Sequence, residues 1–234
     1  LGENDRPCPP GVVDESGALC NYDAAVGEIC REIDRDNLLF DGYFDDAGAT
    51  TNKWRAGWYR SGDLGHIRVI GGKRYLYFNG RTDDWIRKDG ENFSATSVVE
   101  YVGRHPDVAL AAAYGAPCAV SDELVMAAVA LRPGAELDAQ QLFDFFEEQK
   151  LVGGMDGKWM PDYVRVVAEM PMTSTQKIVV RQLKRQHFNL SKHPDMLLLW
   201  RRRGDTAYVR MTQADYTALV ATFESNGRAA LLDG

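Results

Sequence analysis

Apolar and polar residues alternate in short runs through the first part of the chain. Gly27-Glu28-Ile29-Cys30-Arg31-Glu32-Ile33 alternates at period two, the pattern of a half-buried strand. The Asp, Ala and Thr content between Asp45 and Lys53, followed by Trp54, predicts a short helix, after which Trp58-Tyr59-Arg60 leads to a turn at Gly62-Asp63. His66 to Ile70 and Arg74 to Phe78, separated by Gly71-Gly72, predict a hairpin. Gly71-Gly72-Lys73 lacks the GxxxxGK(S/T) spacing of a phosphate loop, so it reads as the turn of that hairpin.

From Asp83 the period changes. Ser94 is placed to cap a helix carrying Val98, Val99 and Val102 on one stripe, closed by Gly103 and His105-Pro106. Val108 to Tyr114 and Leu124 to Leu131, rich in Val and Ala, predict buried strands. Asp138 followed by Gln141 resembles a capping box ahead of Leu142, Phe145 and Phe146, a second amphipathic helix. Tyr163 to Val167 predicts a third strand and Ile178 to Phe188 a final helix. Strands interleaved with helices define a compact α+β unit of about a hundred residues. There is no internal repeat and no low-complexity linker.

Composition narrows the picture. The chain has 234 residues, 45% of them apolar, which suits one or two domains with a sizeable core. Its 27 basic and 34 acidic residues, a net charge of −7, argue against nucleic-acid binding by the surface as a whole. No apolar run is long enough to span a bilayer. Leu1 to Pro10 has no charged stretch leading into an apolar one and so is no signal peptide, and the chain starts without Met, as a processed or excised piece would. Cys8, Cys20, Cys30 and Cys118 match neither a CxxC pair nor a zinc pattern, and His66, His105, His187 and His193 are dispersed, so no metal is assigned to protein ligands. Free thiols fit a reducing, cytoplasmic setting. Arg201-Arg202-Arg203 beside Leu197-Leu198-Leu199-Trp200 has two readings, peripheral membrane contact or a strand with a solvated turn.

Three segments stand apart from this frame: Tyr59-Arg60-Ser61-Gly62-Asp63, Gly80-Arg81-Thr82-Asp83-Asp84 and Pro171-Met172-Thr173-Ser174-Thr175-Gln176-Lys177. Singly they have plain explanations, namely a turn aspartate, a solvated Arg–Asp pair worth little, and a surface lysine. In this order and at these spacings they resemble the last three core motifs of adenylate-forming ligases, the superfamily of acyl-CoA synthetases, peptide-synthetase adenylation domains and luciferases. The tail, with Phe188-Asn189, Trp200, Tyr208-Val209 and Thr212 to Tyr216, and the segment Asn79 to Arg87 are similar to the very-long-chain acyl-CoA synthetase and fatty-acid transport protein branch.

The resemblance implies roles for individual residues. Asp63 matches the aspartate that holds both ribose hydroxyls, since each carboxylate oxygen accepts one O–H. Arg81 matches the arginine on the ribose and phosphate side of the nucleotide, where a guanidinium fork suits phosphate oxygens. Asp83 matches the hinge about which the small C-terminal domain swings. Gly90, in Trp85-Ile86-Arg87-Lys88-Asp89-Gly90-Glu91-Asn92-Phe93, looks like the glycine that lets the pantetheine arm of CoA pass, the missing Cβ permitting close approach. Lys177 matches the catalytic lysine that bridges carboxylate and α-phosphate during adenylation, preorganised electrostatics commonly worth about 2.7–4 kcal/mol per donor. Gln176 stands where the family has glycine, and the basic pair that usually follows the lysine is reduced to Arg181.

The implied architecture is α+β: residues 1–82 as the β-rich end of a large adenylation domain, then 83–234 as its mobile C-terminal domain with a tail extension from about residue 189. The implied reaction joins a fatty acid to CoA through an acyl-adenylate, with ATP and Mg²⁺ held mainly by an upstream large domain whose phosphate loop residues 1–58 do not supply. The piece alone is expected to be inactive. Two further readings are a noncatalytic binding or interaction module of the same fold and an adenylation domain that loads a carrier protein.

Overall fold

The computed structural model describes residues 1, 2, 5–15, 19–32, 42, 44, 45 and 47–233, apart from the side chains of Asp23, Ala49 and Asp83. The chain divides into two compact units, Leu1–Asp84 and Trp85–Gly234.

The first unit is built on one long strand. After a short helix α1 (Tyr22–Ala25), strand β1 (Gly27–Glu32) follows the period-two pattern; Ile33, the last residue of that pattern, lies outside the described residues. Helix α2 (Ala47–Lys53) occupies the Ala/Thr-rich stretch and runs into β2 (Trp54–Arg55). Strand β3 (Trp58–Ile70) pairs antiparallel with β1, with β2 and with β4 (Lys73–Arg81). The turn expected at Gly62-Asp63 is therefore not there. Both residues lie inside the 13-residue β3. Gly62 takes φ +81°, open to glycine without penalty, so the chain kinks there without leaving the sheet. The β1 register shifts here, between Arg60 and Leu64, while Asp63 and Leu64 pair with Arg81 and Gly80 of β4 before a second shift between Leu64 and Gly65. The Gly71-Gly72 hairpin forms as expected, with longer arms. Buried Arg60 ties β3 to β1 and to the N-terminal stretch through Glu28, at 2.7 Å, and Asp5.

The second unit opens with a two-stranded ribbon, β5 (Trp85–Lys88) and β6 (Glu91–Ser94). Ser94 then caps helix α3 (Ala95–Gly103), its hydroxyl accepting from the Thr96 amide. Strands β7 (Val108–Pro117) and β8 (Glu123–Leu131) form an antiparallel pair. Helix α4 (Ala139–Leu151), capped by Asp138, makes the crossover to β9 (Tyr163–Val166), which is parallel to β8. Helix α5 (Val180–Gln186) covers the middle of the helix expected over Ile178–Phe188, but it is not the last one. Strands β10 (Leu197–Trp200) and β11 (Val209–Arg210) extend the sheet to the order β11-β10-β9-β8-β7, and helix α6 (Gln213–Ser225) follows.

Both faces of this sheet are buried, and alternation along β8 shows how. Val125, Ala127 and Val129 join Val98, Val102, Leu142 and Phe146 of α3 and α4 in one core. Met126, Ala128 and Ala130 point the other way and join Leu183 of α5 with Tyr216 and Phe223 of α6. Leu198 and Trp200 enter the second core and Leu199 the first. Leu198, Leu199 and Trp200 are thus spent on packing within a strand, while Leu197 stays exposed. No helix among the described residues is long and apolar enough to cross a membrane.

Candidate functional site

In the first unit, Asp63 and Arg81 stand directly opposite each other in the β3–β4 ladder. Arg81 Nε lies 3.2 Å from Asp63 Oδ1, and both side chains are solvent-accessible, at 56% and 41%. At that exposure the ion pair contributes only about 0–1 kcal/mol to stability, so the juxtaposition is of interest for its chemistry. The backbone beneath is held tightly. The Asp63 amide donates to Ser61 Oγ at 3.0 Å, Ser61 Oγ donates to the Ile29 carbonyl at 2.7 Å, and the Gly62 amide donates to Glu28 Oε1 at 2.9 Å. Lys53, at the end of α2, donates to the Ser61 carbonyl at 2.7 Å, and its Nζ comes within 3.0 Å of where a Gly62 Cβ would be. Asp63 thus has a guanidinium at its carboxylate, while the Lys53 ammonium braces the backbone just before it, at Ser61 and Gly62. No motif marked Lys53; only the fold of α2 against β3 brings it there. Asp83 lies in the 3-10 turn Thr82–Asp84 that directly precedes the division between the units, and its side chain is outside the description.

In the second unit, Gly90 and Lys177 sit on separate loops. Asp89 and Gly90 form the two-residue link between β5 and β6, with φ of 51° and 78°. Positive φ at both central residues suits the twist of a tight hairpin. A Cβ on Gly90 would meet no protein atom within 4 Å, so its backbone conformation is what asks for glycine, not contact within the chain. Lys177 ends a closed loop. Met172 and Ile178 form a bridge, the Thr173 amide donates to the Lys177 carbonyl at 2.8 Å, and the Lys177 amide donates to Thr173 Oγ1 at 3.1 Å. Gln176 occupies the loop at φ 60°, the left-handed conformation a glycine would hold freely. The side chains from Thr173 to Lys177 are exposed, and Lys177 Nζ has no partner among the described residues. A rigid loop thus presents a free ammonium, the form that electrostatic catalysis needs.

The sheet and its helices have the fold of the small C-terminal domain of adenylate-forming ligases, and residues 100–177 match the family described as AMP-binding enzyme C-terminal domain. The chain belongs to the adenylate-forming (ANL) superfamily. It is 34% identical over 220 residues to steroid-22-oyl-CoA synthetase of Rhodococcus jostii (strain RHA1), covering 94% of this chain and 38% of that protein. It is 38% identical over 181 residues to the medium/long-chain-fatty-acid–CoA ligase FadD17 of Mycobacterium tuberculosis, covering 77% of this chain and 32% of that one. Among solved structures, o-succinylbenzoate CoA synthetase (MenE) from Bacillus subtilis, in complex with the acyl-adenylate intermediate OSB-AMP, superimposes with TM-score 0.54 at 26% identity, over 76% of this chain and 34% of that one. The chain spans about a third of the length of the curated relatives it matches.

Proposed function

We propose that this chain supplies the ribose-binding pair, the hinge and the catalytic lysine of a ligase that joins a fatty acid to CoA. In the first half-reaction the carboxylate oxygen attacks the α-phosphorus of ATP and pyrophosphate leaves; in the second the CoA thiol attacks the acyl carbon and AMP leaves. Asp63 accepts the two ribose hydroxyls while Arg81 faces the phosphate side. Lys177 neutralises charge between carboxylate and α-phosphate, and Gly90 borders the route of the thiol. Among the described residues no group of three or more His, Cys, Asp and Glu forms a metal cage. Magnesium would enter with ATP, held mainly by the upstream part of the longer enzyme.

The observation that carries this reading is the cross-strand register of Asp63 and Arg81, which sets a carboxylate and a guanidinium side by side in solvent reach. The longer enzyme containing this chain is expected to exchange radiolabelled pyrophosphate into ATP when given medium- or long-chain fatty acids, and to make acyl-CoA. No exchange across a panel of carboxylic acids would contradict the reading. The 234-residue chain by itself is expected to release no pyrophosphate above background, because substrates not held at near-attack distance gain nothing in effective molarity.

A further inference from the structure

Lys88 and Asp162, 74 residues apart, form a buried ion pair, Nζ to Oδ2 2.6 Å, with each side chain 10% exposed. Neither belongs to the adenylation machinery described above. Lys88 is the last residue of β5, directly before the Asp89-Gly90 link, and its cross-strand partner is Glu91. Glu91 in turn pairs with Lys158. Both feet of the link are therefore gripped by one short stretch, 158–162.

We propose that Lys88–Asp162, seconded by Glu91–Lys158, is a positioning clamp that fixes the Asp89-Gly90 link and joins it to the end of strand β10. The ribbon β5–β6 belongs to no larger sheet, and an isolated two-stranded ribbon is marginal by itself. Ile86 and Phe93 anchor its base in the core; Arg87 is held by Glu123 and Asp122, and Lys88 and Glu91 hold the tip through Asp162 and Lys158. Asp162 is a firm anchor, since its Oδ2 also accepts from the Val125 amide at 2.8 Å. Strand β10 leads into Arg201, whose amide donates to the Asp162 carbonyl at 3.0 Å and whose Nε donates to the Pro161 carbonyl at 3.2 Å, with Nη2 3.9 Å from Asp162 Oδ1. A buried pair of this kind is weak evidence for stability, because apolar replacements of similar volume are often as stable. Its distinguishing effect is geometric: one ammonium is fixed to one carboxylate at the root of the link.

The consequence for catalysis rests on the reading of Gly90 as bordering the thiol route, and the test separates the two. Lys88→Met with Asp162→Asn removes both charges, keeps the lysine stem and leaves an oxygen for the Val125 amide. In the 234-residue chain the double variant should melt cooperatively, while the amides of residues 88 and 91, the pair that closes the ribbon, exchange hydrogen at least about tenfold faster than in the parent. In the longer ligase the thioester half-reaction should fall about tenfold more than adenylation. Parental exchange at these amides in a folded variant overturns the clamp whatever the enzyme does. Faster exchange with equal loss of both half-reactions leaves the clamp standing and overturns its tie to the thiol route. Should the double variant not fold, Lys158→Met on the solvent side decides: faster exchange at Glu91 supports the clamp and an unchanged rate overturns it.

Discussion

Gln176 holds a left-handed backbone, φ 60°, immediately before Lys177. A residue with a Cβ pays roughly 1–2 kcal/mol for that conformation, and a β-branched one is the worst placed to adopt it. The loop nevertheless closes, because the Thr173 amide donates to the Lys177 carbonyl while its carbonyl accepts from the Gln176 amide and its hydroxyl from the Lys177 amide. Gln176→Gly should therefore be tolerated, with relief of strain set against the greater freedom of glycine in the unfolded chain. Gln176→Val should lower unfolding stability by about 1–2 kcal/mol in urea titrations; equal stability of the two variants would refute the strain argument. The departure from the family pattern at this position thus leaves the loop geometry intact. Candidate residues were legible in the sequence wherever chemistry and spacing coincide in one short segment, as at Asp63, Arg81 and Lys177. Lys53 and the Lys88–Asp162 pair were not, because tertiary folding alone brings their partners to them.

Among the elements, periodicity was a good guide where one face or both faces are buried. The Val and Ala runs of β7 and β8 and the caps Ser94 and Asp138 appear where the pattern puts them. Gly62-Asp63 reads as a turn because Gly and Asp usually signal one, whereas here β3 runs on through them, with Asp63 paired to Arg81 of β4. Helix α6 was missed despite a complete capping box between Thr212 and Asp215, since its apolar periodicity is weak and its burial concentrates at Tyr216 and Phe223. The end of α5 carries a pH-sensitive element. Burial pushes His187 below its ordinary pKa, outweighing the raising effect of the Leu232 carbonyl 3.3 Å from Nε2. Its Nδ1 is buried without a partner among the described residues, so a proton there would go unanswered. Burial lowers His105 as well, against the raising influence of Asp107. The unfolded chain then binds protons that the fold refuses. Stability is complete above about pH 6.5, the ordinary histidine value, and declines as pH falls from there toward the lowered folded values. Denaturant titrations from pH 7.5 to pH 5 should show this decline, and His187→Gln, which retains a donor for Leu232, should make it shallower; an identical slope in the variant would rule out His187 as a source.

At the scale of the whole molecule, the two units meet in sequence at Asp84–Trp85, one residue after Asp83. We propose Asp83 as the hinge of the longer enzyme. Proline locks φ, so Asp83→Pro should trap one conformation and spare one half-reaction while abolishing the other; equal loss of both would signal misfolding instead. The central claim is that Lys177 acts in adenylation alone, and the two half-reactions of a Lys177→Ala enzyme test it most directly. Loss of one preorganised donor should slow adenylation by about 10²–10³-fold, with thioester formation from preformed acyl-adenylate and CoA near the parental rate and circular dichroism unchanged. A variant that adenylates at the parental rate would contradict the account and leave Lys177 an ordinary surface lysine.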